Sequence, residues 1–118
     1  MRPISILYVE DCIELQDAIA ELLRDGGDEV VCCACAEEAL AVLAQRAFDV
    51  LLVDDKLDGV ISGKELTRLV LATKPLQWVI LCSGGVMDDD LAPGANTRIL
   101  HKPFEVRELE SLLSQARG

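Results

Sequence analysis

The sequence predicts a single α/β domain built of repeated strand–helix units, (βα)5, and three observations predict it. Short apolar runs alternate with amphipathic stretches along all 118 residues. Val, Ile and Leu fill those runs almost without a break, which suits strands buried on both faces of a parallel sheet. With 51% hydrophobic residues, the chain has apolar material for a core that buries roughly two-thirds of its unfolded surface, and too much for disorder.

The strands are expected at residues 4–9, 29–33, 50–53, 78–82 and, more briefly, 98–101. Between them the period changes to that of helices. Leu15, Ile19, Leu22 and Leu23 form one stripe, closed by Gly26-Gly27; Ala39, Leu40, Leu43 and Ala44 form a second. Leu66, Leu69, Val70 and Thr73 form a weaker third, opened by Ser62 with Glu65 three residues on, the pattern of a capping box, and followed by Pro75. Val106, Leu109, Leu112 and Leu113 mark the last helix. The fourth helix is short and irregular in prospect, because residues 86–91 hold three successive aspartates and meet Pro93 and Gly94 at once. No repeat or linker interrupts the chain, so residues 1–118 read as one domain with no output domain.

Charge narrows the function. Acidic residues outnumber basic ones 21 to 11, a formal charge of −10, which disfavours nucleic acid because phosphate binding needs clustered Lys and Arg. No apolar run approaches the roughly 18 residues of a membrane span. No signal peptide opens the chain, so its five cysteines are expected to be reduced thiols of a cytoplasmic protein. Cys32, Cys33 and Cys35 do not have the paired spacing of a zinc site; Cys32 and Cys33 should face opposite sides of a strand as small packing residues.

In an open parallel sheet, ligands sit beyond the carboxyl ends of the strands. The residues leaving the predicted strands are Glu10 and Asp11, Asp54 and Asp55, Ser83 and Gly84, and Lys102 and Pro103. Several carboxylates at one edge repel one another and raise at least one pKa unless a cation relieves them. Mg²⁺ takes oxygen ligands and is commonly held by one or two carboxylates plus a phosphate. Lys102 supplies a point charge for a phosphoryl oxygen, and Ser83 a hydroxyl and Gly84 a backbone N–H for the others. A carboxylate that attacks phosphorus forms an acyl phosphate.

Glu10-Asp11 after ILYV, Asp54 after VLLV, Ser83 after VILC, and Lys102-Pro103-Phe104 before the last helix together resemble the receiver domain of two-component response regulators over nearly the whole chain. The resemblance implies a flavodoxin-like fold with a five-stranded parallel sheet of order 2-1-3-4-5. It makes Asp54 the phosphoacceptor and assigns Mg²⁺ to Asp11 directly, to Glu10 through water, to Asp54, and to the backbone carbonyl of Lys56. Ser83 becomes the switch hydroxyl, Gly84 a backbone donor to the phosphoryl group, and Lys102 its cationic contact. A cis peptide bond is implied between Lys102 and Pro103.

This sequence departs from the family pattern in several places. Asp58 stands where the family has Pro, and Gly63 arrives one residue late, so residues 58–63 contain a one-residue insertion. The interval from Ser83 to Lys102 is short, and Ile99 replaces the usual Tyr or Phe. Switching is therefore expected to work through ordering of residues 84–96 rather than through aromatic rotation, and Gly85 is expected to leave the phosphoryl group accessible. His101 reads as a partly buried residue of the fifth strand, Trp78 as packing far from Ser83, and the run Asp88 to Asp90 as solvated surface.

Taken together, the residues and the resemblance imply a phosphoacceptor rather than an enzyme, although it takes part in its own phosphorylation and dephosphorylation. The phosphoryl donor would be a phosphohistidine on a sensor histidine kinase or a histidine phosphotransfer protein. Output would pass through contact with another protein or through onward relay. The alternative is a phosphorylation-independent interaction module of the same fold. A phosphohydrolase is disfavoured, because Lys56 stands where a general-acid Asp would be needed.

Overall fold

The computed structural model describes residues 2–84 and 94–118. Its elements follow the order β1 (Ser5–Val9), α1 (Ile13–Asp25), β2 (Glu29–Cys33), α2 (Ala36–Leu43), β3 (Val50–Asp54), α3 (Gly63–Thr73), β4 (Trp78–Ser83), β5 (Thr97–His101) and α4 (Val106–Arg117). The strands form one sheet of order β2-β1-β3-β4-β5, parallel at every pairing. The expected fourth helix at residues 86–91, the role given to Gly85, and the aspartate run all lie outside the described residues.

Side-chain alternation along each strand divides the core in two. Ile6, Tyr8, Leu52, Ile80, Cys82 and Leu100 face α1 and α4, where they meet Ile19, Leu23, Leu109 and Leu113. On the other face Leu7, Val9, Leu51, Val53, Val79 and Leu81 pack with Ala36, Ala39, Leu66 and Val70 of α2 and α3. Cys33 belongs to the second cluster while Cys32 packs against the first, as a strand position requires. All the cysteines are free thiols.

The helix ends follow from local chemistry. α1 closes on Gly26 and on Gly27, whose φ of +102° is one that glycine alone adopts without strain. Ser62 caps α3 by accepting from the Glu65 N–H at 3.1 Å, but the Glu65 carboxylate pairs with Arg68 instead of returning to the cap. The complete capping box belongs to α4, between Glu105 and Glu108, a pair legible in the sequence but not singled out there. Trp78 packs at the far end of β4 beneath the Arg98 guanidinium, 4.9 Å from the ring centre. His101 ends β5 exposed, not partly buried: it pairs with Ser83 of β4 on one side, and on the other side of this edge strand there is no strand.

The chain ends are tied together from within. Asp28, 3% exposed at its side chain, accepts from the Ile4 N–H at 3.1 Å and pairs with Arg117 near the end of α4.

Candidate acidic site at the carboxyl edge of the sheet

Because every strand runs the same way, their carboxyl ends share one edge, and the backbone ladder continues beyond the strands to fix the residues that open the loops. The Glu10 N–H donates to the Cys33 carbonyl at 3.0 Å, the Asp55 N–H to Cys82 at 2.9 Å, and the Lys102 N–H to Ser83 at 2.8 Å. Glu10, Asp54 and Ser83 are thereby held buried at the rim, with Asp11 half-buried beside them. Asp54 and Ser83 are the last residues of β3 and β4, one step later than the apolar runs alone indicate.

One carboxylate oxygen each from Glu10, Asp11 and Asp54 lie within 4.8 Å of one another. Lys102 joins them, its Nζ 3.0 Å from Asp54 Oδ2. Burial alone would lower the lysine's pKa, but the Asp54 hydrogen bond and the charges of Asp54 and Glu10 outweigh it and raise the value, so Lys102 stays cationic.

Each acid is also held by one backbone N–H. Lys56 donates to Asp54 Oδ1 at 3.3 Å, Cys12 to Glu10 Oε2 at 3.2 Å, and Asp58 to Asp11 Oδ2 at 3.1 Å. At Glu10 the Cys12 bond, which favours the ionised carboxylate, is outweighed by burial first and then by the proximity of Asp54, and the pKa is pushed up to about 7. The repulsion that the order of acids predicts is thus present, and it falls on Glu10. Oxygen donors at this spacing, one of them destabilised as an anion, suit a hard divalent cation such as Mg²⁺.

Two neighbouring groups are held in their protonated forms. Burial first, then the Asp54 charge, push the Cys82 thiol up to about 12, and burial raises the Tyr8 phenol above its ordinary range. Gly84 is exposed and borders an open apolar groove with Leu15, Ile19, Lys102 and Phe104. The peptide bond between Lys102 and Pro103 is cis.

Of three supporting residues, Gln16 escaped the reading of the sequence, whereas Asp55 was noted there as an acid of the rim and Gly63 as a spacing; Asp55 stands outside the three-acid cluster. Buried Gln16 donates through Nε2 to the carbonyls of Glu10 at 3.1 Å and Cys33 at 2.8 Å, joining the turn after β1 to the end of β2. Asp55 accepts from the Lys64 N–H at 3.1 Å and so anchors the start of α3. Gly63 packs directly onto the end of β3. The late glycine was visible as a spacing, but what it touches was not.

Residues 6–114 match the family described as the response regulator receiver domain. The chain belongs to this family. It is therefore a receiver domain of two-component signalling. It is 33% identical to the response regulator protein FleR of Pseudomonas aeruginosa over 94% of this chain and 24% of that protein. It is likewise 33% identical to a response regulator receiver protein of Anaeromyxobacter sp., over 90% of this chain and 45% of the relative. This receiver domain thus spans less than half the length of either relative. Among solved structures it resembles the receiver domain of a Pseudomonas aeruginosa sensor histidine kinase, with 28% identity, a TM-score of 0.82 and 97% of both chains covered; that structure has a magnesium ion coordinated in its active-site cleft. No helix among the described residues of this receiver domain is long and apolar enough to cross a membrane.

Proposed function

We propose that this receiver domain accepts a phosphoryl group on Asp54 from a phosphohistidine of a sensor histidine kinase or histidine phosphotransfer protein in the cytoplasm. The observation that carries the reading is the setting of Asp54. It is a buried carboxylate at a strand end, 3.0 Å from Lys102, with one oxygen within 4.8 Å of oxygens of Glu10 and Asp11.

Glu10, Asp11 and Asp54, with the backbone carbonyl of Lys56, would hold Mg²⁺, and the bound ion supplies neutralisation of charge on the transferring phosphoryl oxygens. In the transfer an Asp54 carboxylate oxygen bonds to phosphorus as the bond from phosphorus to the imidazole nitrogen breaks, and the imidazole leaves with that electron pair. Lys102 exchanges its contact with the Asp54 carboxylate for one with a phosphoryl oxygen. The Ser83 hydroxyl and the Gly84 backbone N–H would donate to the other phosphoryl oxygens from the same edge. The apolar groove beside Lys102 supports docking of the donor protein next to the reacting carboxylate. Output then passes to another protein by contact or by onward relay.

A second reading, a module that signals without phosphate, draws on Ile99, which is packed against the α2 and α3 side of the core where the family carries a ring. Incubation with acetyl phosphate and Mg²⁺ followed by intact-mass measurement separates the two. The first predicts a gain of one phosphoryl group that Asp54→Ala abolishes; no gain, with beryllofluoride also failing to bind, favours the second.

A further inference from the structure

The loop between β3 and α3, residues 55–62, is fastened at both ends. At its start the Lys56 N–H donates to Asp54 Oδ1. At its far end the Gly63 N–H donates to the Asp55 carbonyl at 3.0 Å and the Lys64 N–H to the Asp55 carboxylate. Between these anchors, Gly59 takes a φ of +109°, where any side chain would be strained, and a Cβ there would lie 3.4 Å from Glu37 Oε2 at the start of α2. The loop is thus shaped by its own backbone and seated beside a neighbouring helix.

That shape aims one group at the acids. The Asp58 N–H donates to Asp11 Oδ2 at 3.1 Å, across 47 residues of chain. Glu10 and Asp54 receive their backbone donors locally, from residues two positions further on. Asp11, by contrast, is held from another element. It is also the half-buried member of the three, so its side chain has the most freedom to lose. A proline at position 58 would carry no N–H; this chain has Asp there, and with it a donor.

We propose that the Asp58 backbone N–H is a positioning group for the cation site, engaging one oxygen of Asp11 so that the other is held for the metal. The loop, and not the acids alone, then sets the affinity. The inference rests on the reading of Glu10, Asp11 and Asp54 as cation ligands. Its energetic logic is that of partners behind a metal ligand, whose removal typically weakens binding about 10- to 100-fold.

The test is calorimetric titration with Mg²⁺ alone, without phosphodonor, on the unsubstituted domain, Asp58→Pro and Asp58→Asn. Proline is expected to weaken Mg²⁺ binding about tenfold, whereas Asn, which keeps the N–H, restores affinity to within about twofold. Amide exchange in EDTA gives a second measure that needs no variant of the loop: protection of the Asp58 amide that is lost in Asp11→Ala supports the assignment. An Asp58 amide that exchanges as freely as an unstructured one overturns it, as does unchanged Mg²⁺ affinity in Asp58→Pro. Failure of the unsubstituted domain to bind Mg²⁺ would overturn the cation reading as well, whereas firm binding indifferent to proline overturns this inference alone.

Discussion

Gly63 and Asp54 are in direct backbone contact: a Cβ built on Gly63 would lie 2.1 Å from the Asp54 carbonyl oxygen and 2.7 Å from its carbonyl carbon. Neither atom can move aside as the tip of a flexible side chain would. The first residue of α3 is therefore seated on the last residue of β3, and the position of the Asp54 carboxylate depends on that close approach.

Gly63→Ala is accordingly expected to cost about 3 kcal/mol of stability, near the upper end of the usual overpacking penalty, and to impair phosphoryl uptake in whatever fraction stays folded. Urea denaturation followed by mass-detected phosphorylation at a denaturant concentration where both proteins are native separates the two effects. A substitution tolerated within about 0.5 kcal/mol would show that α3 can slide away from the strand.

Lys102 and Glu10 pull the cation site in opposite directions. Removing the lysine charge relieves repulsion of a divalent cation, so Lys102→Ala is expected to bind Mg²⁺ several-fold more tightly, on the order of the weak screened interactions of partly exposed charges. On the proposed function the same change also removes a donor to the phosphoryl group, and phosphorylation by acetyl phosphate should slow by about tenfold or more. Titration and mass kinetics on one preparation would show the two trends diverging; a parallel loss of both would place Lys102 among the groups that merely hold the fold.

The pKa of Glu10, raised from 4.5 to about 7, makes the metal-free domain sensitive to pH. Between those values the folded state holds a proton that the unfolded state releases, so this group's contribution to stability falls as pH rises from about 4.5 to about 7 and is level above. In EDTA the melting temperature should therefore drop across that window, and Glu10→Gln should flatten the slope. Mg²⁺ binding should strengthen up to about pH 7 and release a proton below it, readable as a dependence of the binding heat on the buffer's ionisation enthalpy.

The tie between Asp28 and Arg117 predicts a purely structural effect. Asp28→Ala leaves the Arg117 guanidinium, 11% exposed, without its anion and the Ile4 N–H without its acceptor, a loss of about 3 kcal/mol. The melting temperature should fall by on the order of 10 °C, with Mg²⁺ affinity unaffected because the pair lies at the end of the sheet remote from Asp54.

Much of the architecture was legible in the sequence. Continuous Val, Ile and Leu runs placed the strands to within a residue, since burial on both faces leaves little room for other side chains. Asp54 stood out because an acid closing such a run has no packing reason to be there. Gln16 did not stand out, Asp55 was read only as one more acid of the rim, and Gly63 only as a spacing. A glutamine on an otherwise ordinary helix stripe gives no sign that two carbonyls wait for it, and a glycine one residue late gives no sign of the backbone beneath it.

By itself the sequence determined the α/β repeat and the placing of Glu10, Asp11, Asp54, Ser83 and Lys102 along one edge, because parallel strands bring their carboxyl ends together whatever the loops do. Only the tertiary structure decided how those groups are tuned. It gave Asp11 an N–H from Asp58, seated Gly63 against Asp54, and raised the pKa of Glu10 through burial. These are properties of distance between segments far apart in the chain, and neither periodicity nor spacing encodes distance.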